Sequence, residues 1–182
     1  MKRKLVIGAV IVVAMSFIAL VYASPYFTLR SIGKAVERQD AQAVSTYVDF
    51  PALRDSVKAE MLARMRPELD EAGANNPFGN IGKMLAAGVV NQLTDALVSP
   101  TGVMVMLKNG RPGKPADVAA AGVGVNTQEA PSRRGYAVDY QGWSQVFVHP
   151  KSENTGFIFR RDGLFSWKLS GIKMDGEAAA AP

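Results

Sequence analysis

His149 is the single histidine of the chain and the side chain best suited by nature to move a proton near neutral pH. It closes a β-rich run just before Pro150. Asp139 stands ten residues earlier, between Val138 and Tyr140. A carboxylate turned into a curved sheet could act as a cavity acid; either Asp139 or His149 could be the acid/base of such a cavity. Neither residue comes with a nucleophile motif, and spacing places no supporting carboxylate beside His149. Strand periodicity sends Asp139 and Tyr140 to opposite faces, which makes an outward Asp139 and a strand-end surface His149 the expectation. Trp143 and Trp167 offer rings that could stack on a sugar or peptide, although packing is their ordinary use. Asp139, Tyr140, Trp143, His149 and Trp167 are therefore the candidate cavity residues. None receives a catalytic, cofactor-binding or metal-binding role.

The remaining chemistry is limited by composition. There is no cysteine, so thiol catalysis, disulfides and a lipid-modified cysteine are excluded. One histidine rules out a multi-histidine metal site. Met61, Met65, Met84, Met104 and Met106 fall at helical core spacing and are expected to pack rather than bind a soft metal. Gly122-Val123-Gly124 lacks the helix and Lys-Ser/Thr pair of a phosphate loop. Asp49 and Arg54 are expected to act separately, Asp49 as a helix cap and Arg54 on a local carbonyl or carboxylate. No cofactor is implied.

These residues sit in a C-terminal part that reads as strands. Tyr136, Val138 and Tyr140 alternate, and Gln141-Gly142 turns the chain. The run from Trp143 to His149 is β-rich, Gly156 to Phe159 forms another strand, and Asp162-Gly163 makes a hairpin turn. Leu164 to Met174 follows, with Phe165, Trp167 and Leu169 on one face. Connections this short require an antiparallel sheet of about four strands. Before it come helices: Tyr26 to Arg38, a short one capped by Asp40, and one from Asp49 to about Leu69 that Pro67 ends or disturbs. A further helix after Asn80 carries a stripe of Ile81, Met84, Leu85, Val89, Leu93, Ala96 and Leu97. The last, from Ser99-Pro100, closes at Asn109-Gly110. Residues 111–132 are expected to be a mobile loop, with a short strand near Val123 to Val125. Residues 176–182 are expected to be a disordered tail. Helices followed by a meander define an α+β domain over residues 24–175.

Leu5 to Ala23 is an uncharged run of nineteen residues behind Lys2-Arg3-Lys4, with Ser16 its one strongly polar side chain. At about 1.5 Å per residue it reaches roughly 28 Å, the thickness of a bilayer core. Residues 1–23 are thus expected to be a retained signal-anchor helix. The three cations stay inside, and Tyr22, Tyr26 and Phe27 lie at the far interface. Cleavage after Ala23, releasing a soluble domain, is the alternative. Without those three cations the chain holds 18 Lys+Arg against 16 Asp+Glu, so its basicity does not argue for nucleic acid.

Two stretches carry a family resemblance. One runs through Ser24-Pro25-Tyr26-Phe27, Leu29, Ile32, Asp40 and Val48-Asp49-Phe50-Pro51-Ala52-Leu53-Arg54. The other is Phe157-Ile158-Phe159-Arg160 with Gly163-Leu164-Phe165-Ser166-Trp167-Lys168-Leu169. Together they resemble a family of bacterial membrane-anchored proteins known only as a domain of unknown function, which brings no activity with it. By element order alone the chain also resembles the cystatin-like, or nuclear-transport-factor-2-like, α+β cone. The expected setting is a bacterial inner membrane, crossed once, with the domain in the periplasm. The expected role is a non-enzymatic module that meets lipid through residues 5–23. It would bind an envelope protein or a small apolar ligand on the concave face of the sheet. A cone-cavity enzyme using Asp139 or His149, and a structural assembly factor of an envelope complex, are the alternatives.

Overall fold

A computed structural model describes residues 2–74, 79–110, 112, 135–151 and 153–174. The expected mobile loop (Pro112 apart) and the expected tail lie outside the described residues. Among the described residues, five helices precede four strands: α1 Lys2–Glu37, α2 Ala41–Ser45, α3 Phe50–Ala74, α4 Gly79–Leu97, α5 Pro100–Asn109, β1 Tyr136–Tyr140, β2 Gln145–Pro150, β3 Gly156–Arg161 and β4 Trp167–Lys173. The strands form one antiparallel meander in the order β1-β2-β3-β4. The α+β expectation holds.

Local chemistry explains most boundaries. Asp40 Oδ1 accepts from the Ala43 amide at 2.9 Å, and Asp49 Oδ1 from the Ala52 amide at 3.2 Å, so each carboxylate caps a helix start. Ser99 caps α5 through a 3.0 Å bond from Gly102 N–H, with Pro100 in the first turn. Gly110 ends α5 in the left-handed conformation, φ 70°.

Three expectations are corrected. The apolar run and the helix after it are one helix, because α1 continues through Pro25. Pro67 does not end α3, which continues to Ala74. The chain between β3 and β4 is a five-residue connection, closed by an Asp162 N–H to Ser166 C=O bond of 2.9 Å, rather than a two-residue turn. Leu164 and Phe165 are consequently at a hairpin tip, 62% and 48% exposed, and not in β4. Trp143 likewise belongs to the tip between β1 and β2.

The core lies between the helices and one face of the sheet. Leu53 and Val57 of α3, Val103 and Met106 of α5, and Ile32 and Ala35 of α1 pack with Val146, Val148, Phe157, Phe159, Leu169 and Ile172. Burying such side chains contributes about 1.5–3 kcal/mol each. Residues 47–49 cover the free edge of β4: Leu169 N–H donates to Tyr47 C=O at 2.8 Å, and Asp49 N–H donates to Leu169 C=O at 2.9 Å. Ser56 on α3 adds a bond from Ile172 N–H at 3.0 Å. Arg54 pairs with Asp95 at 3.1 Å, tying α3 to α4. The α4 stripe is only half used. Leu97 is buried, whereas Met84, Leu85 and Val89 are 77%, 68% and 52% exposed.

Candidate functional site

The sheet separates the five candidate residues into two groups. Pairing puts Tyr140, Val146, Phe159 and Leu169 in one cross-strand row on the helix side. Asp139 falls on the other face, opposite Phe147 and diagonal to His149. Among the described residues, the face that carries Asp139 and His149 is the one turned away from the helices and the core.

On that outer face Asp139 and His149 do meet. Asp139 Oδ2 lies 3.0 Å from His149 Nε2. His149 Nδ1 faces the carbonyls of Pro150 and Glu153 at 2.8 and 2.7 Å. All three partners are acceptors, so the arrangement suits an imidazole carrying protons on both nitrogens. Burial pushes the His149 pKa down, but the hydrogen bonds that the ring donates to Asp139 and the two carbonyls, with the negative charge of Asp139, outweigh it and raise it. The ring stacks on Phe147, centroids 4.9 Å apart at 18°, and Lys173 lies 5.5 Å over the Phe147 ring. An imidazole with both nitrogens engaged has none free to take a proton from a substrate. The contacts of His149 tie β1 to β2 and to Glu153.

Tyr140, Trp143 and Trp167 gather on the helix side, where the sheet meets α1. Pro25 lies in mid-helix, lacks an N–H for the Val21 carbonyl and crowds it. Ser24 supplies a substitute: its Oγ donates to Val21 C=O at 2.7 Å. The same Oγ accepts from Trp167 Nε1 at 2.8 Å. The Tyr140 hydroxyl donates to the next carbonyl along, that of Tyr22. Ser24, Val21 and Trp167 are 1%, 3% and 1% exposed, so this relay is sealed from water. Burial raises the Tyr140 pKa, as do Tyr26 and Tyr22 against the opposing pull of Arg161, which keeps the hydroxyl a donor.

Arg161 fastens the two hairpin tips. Its guanidinium carbon lies 4.5 Å from the Trp143 ring centre and 4.6 Å from that of Trp167. Its Nε donates to Trp143 C=O at 3.1 Å and its Nη1 to Leu164 C=O at 2.7 Å. Tyr22 packs against Tyr140 and Trp143 at 5.5 and 6.4 Å. The crevice among Tyr22, Tyr140, Gly142, Trp143 and Arg161 has about 10 Å³, far below the roughly 300 Å³ of a small-molecule site. The junction is a joint rather than a pocket. Sequence reasoning missed Ser24, Pro25 and Arg161 here. The signal for the first two was a serine directly before a proline within helix-forming sequence. Among the described residues no group of three or more His, Cys, Asp or Glu side chains is placed to hold a metal ion.

An α+β domain fixed by its sheet to the end of a helix long and apolar enough to cross a membrane defines the class of protein. The chain belongs to a family described as a protein of unknown function (DUF2939), whose model matches residues 13–106. That stretch begins inside the apolar run, includes the Ser24-Pro25 step and reaches α5, while the sheet lies outside it. No curated protein and no solved structure matches the chain. The likeness to the cystatin-like cone therefore stays one of element order.

Proposed function

We propose that this protein is a single-pass membrane-tethered interaction module that holds an α+β domain at a fixed attitude on the periplasmic face of a bacterial inner membrane. The observation that carries the reading is the sealed relay from Trp167 through Ser24 to the Val21 carbonyl. A flexible tether would serve a domain that only needs to stay near the membrane. Here a buried hydrogen-bonded joint sits where a linker would otherwise be, which suits a module that presents one surface in one direction.

Among the described residues the helix side of the sheet carries the core, which favours a protein partner over a small apolar ligand. Among the described residues, an apolar surface that suits a partner is the outward face of α4, where Met84, Leu85 and Val89 are exposed. Lys2, Arg3 and Lys4 favour the cytoplasmic side for the N-terminus. Two measurements test the reading. Reporter fusions after the last strand should be active in an export-dependent enzyme and silent in a cytoplasmic one. A photo-crosslinking residue at Leu85 should yield a discrete adduct in cells. The adduct should be absent from the same probe at exposed Arg66 of α3 and lost when Met84 and Val89 become lysine. A cytoplasmic C-terminus, or equal adducts at both positions, would refute it.

A further inference from the structure

We propose that the two hairpin tips, residues 142–144 and 163–165, insert into the bilayer beside α1, with Trp143, Leu164 and Phe165 as the penetrating side chains. This rests on reading α1 as the membrane span.

Depth is the first argument. Phe165 packs edge-on against Phe17, ring centroids 5.8 Å apart at 82°. Phe17 lies six residues before Ala23, the end of the apolar run, which is roughly 9 Å along a helix axis. A ring that touches Phe17 shares its depth, so Phe165 is carried below the level at which the apolar run leaves the hydrocarbon.

The second argument is composition. Trp143, Leu164 and Phe165 are 61%, 62% and 48% exposed, at tips where polar residues are the rule. They continue an apolar surface formed by Phe17 and Leu20 of α1, themselves 49% and 54% exposed. Tryptophan is enriched at the headgroup level, where its ring is apolar and its N–H is wet.

The third argument is the backbone. Lipid gives no hydrogen bonds, so an inserted tip must satisfy its own polar groups. Gln141 N–H bonds to Gln145 C=O at 3.0 Å, Arg161 N–H to Ser144 C=O at 2.9 Å, and Asp162 N–H to Ser166 C=O at 2.9 Å. The carbonyls of Trp143 and Leu164 are taken by the Arg161 guanidinium. The cation is itself covered by two indole rings. The Asp162–Lys168 pair, 2.9 Å, and the Gln141–Gln145 side-chain bond, 2.8 Å, stand at the strand ends and limit insertion to the tips.

The test uses the full chain in phosphatidylcholine–phosphatidylglycerol vesicles whose acyl chains are brominated near the headgroup or near the terminal methyl. Trp167 is a constant background, and W143F and W143F/F165W are compared with the native chain. Trp143 emission should be lost mainly to the shallow bromines. The indole of F165W should be blue-shifted, quenched at least as strongly and by deeper bromines, and protected from iodide. If the chain floats with the vesicles and resists alkaline extraction, yet iodide quenches the F165W reporter and bromolipid does not, the insertion proposal fails while the anchor stands. The same holds if the reporter is shielded only by contact with a second copy, read as a dependence on protein density in the vesicles. A chain that washes off the vesicles overturns both readings.

Discussion

Ser24 makes two bonds with one oxygen, donating to Val21 C=O and accepting from Trp167 Nε1. Ser24→Ala would leave a buried carbonyl and a buried indole N–H without partners. Destabilisation of about 1–3 kcal/mol is expected, read from denaturant unfolding in detergent. Ser24→Ala with Trp167→Phe should cost less than the sum of the two, since the orphaned N–H is then gone. Strict additivity would show that the relay does not form. The second residue-scale case is His149. Its pKa is raised above the ordinary 6.5 in the folded protein. The folded state thus holds the proton more tightly than the unfolded chain. The stabilisation is complete below pH 6.5 and is lost as pH rises through the folded value. Asp139 is 64% exposed, so solvent screening keeps the effect within about 1 kcal/mol. Asp139→Asn should flatten the fall in unfolding midpoint across that window. An unchanged slope would mean that the carboxylate does not hold the imidazolium.

At the scale of elements, the unusual choice is a proline inside a helix that the domain grips. A mid-helix proline costs about 3 kcal/mol when nothing compensates. Ser24 is the compensation, so the two residues should be energetically coupled: Pro25→Ala restores an N–H for Val21, and Ser24→Ala should cost roughly 1 kcal/mol less in that background. α5 offers a sharper steric case. A Cβ at Gly102 would lie 2.4 Å from the Ala96 carbonyl oxygen and 2.5 Å from that of Leu97, and backbone cannot step aside as a side chain can. Gly102→Ala should lower stability by about 1–3 kcal/mol, measured in the same unfolding assay, whereas Ala at open Gly88 should not. These examples also show what sequence makes legible. The meander was readable because alternation and turn residues act over a few positions. The Asp40, Asp49 and Ser99 caps were readable for the same reason. Faces were legible, and Asp139 was rightly expected to point away from Tyr140. Register was not legible, and register is what sets Asp139 diagonal to His149. The α4 stripe misled because periodicity marks an apolar face without saying that anything covers it. The junction was out of reach because Ser24 and Trp167 are 143 residues apart, and no local pattern reports such a pair.

For the whole molecule, the decisive point is where the domain begins. Expectation divided the chain after Ala23, with either a retained anchor or a cleaved signal on the N-terminal side. The packing ignores that line. Val21 is 3% exposed although it belongs to the apolar run, Tyr22 packs against Tyr140, and Phe17 meets Phe165. Cleavage after Ala23 would strip the domain of all three. It would also leave Ser24 with no Val21 carbonyl to bond and would open the Ser24–Trp167 bond to water beside a new charged terminus. The end of the apolar helix is thus part of the folded domain. Two results are expected. The intact mass of protein purified from the membrane fraction should include residues 1–23. A fragment starting at Ser24 should unfold at distinctly lower denaturant than the full chain in the same detergent. Recovery of a mature chain beginning at Ser24, as stable as the uncut one, would show that the relay is dispensable and the apolar run only an address. An uncut chain whose stability depends on Phe17 to Ala23 would make the helix both anchor and structural element, so that whatever the domain meets, it meets at an angle and height set by its own membrane span.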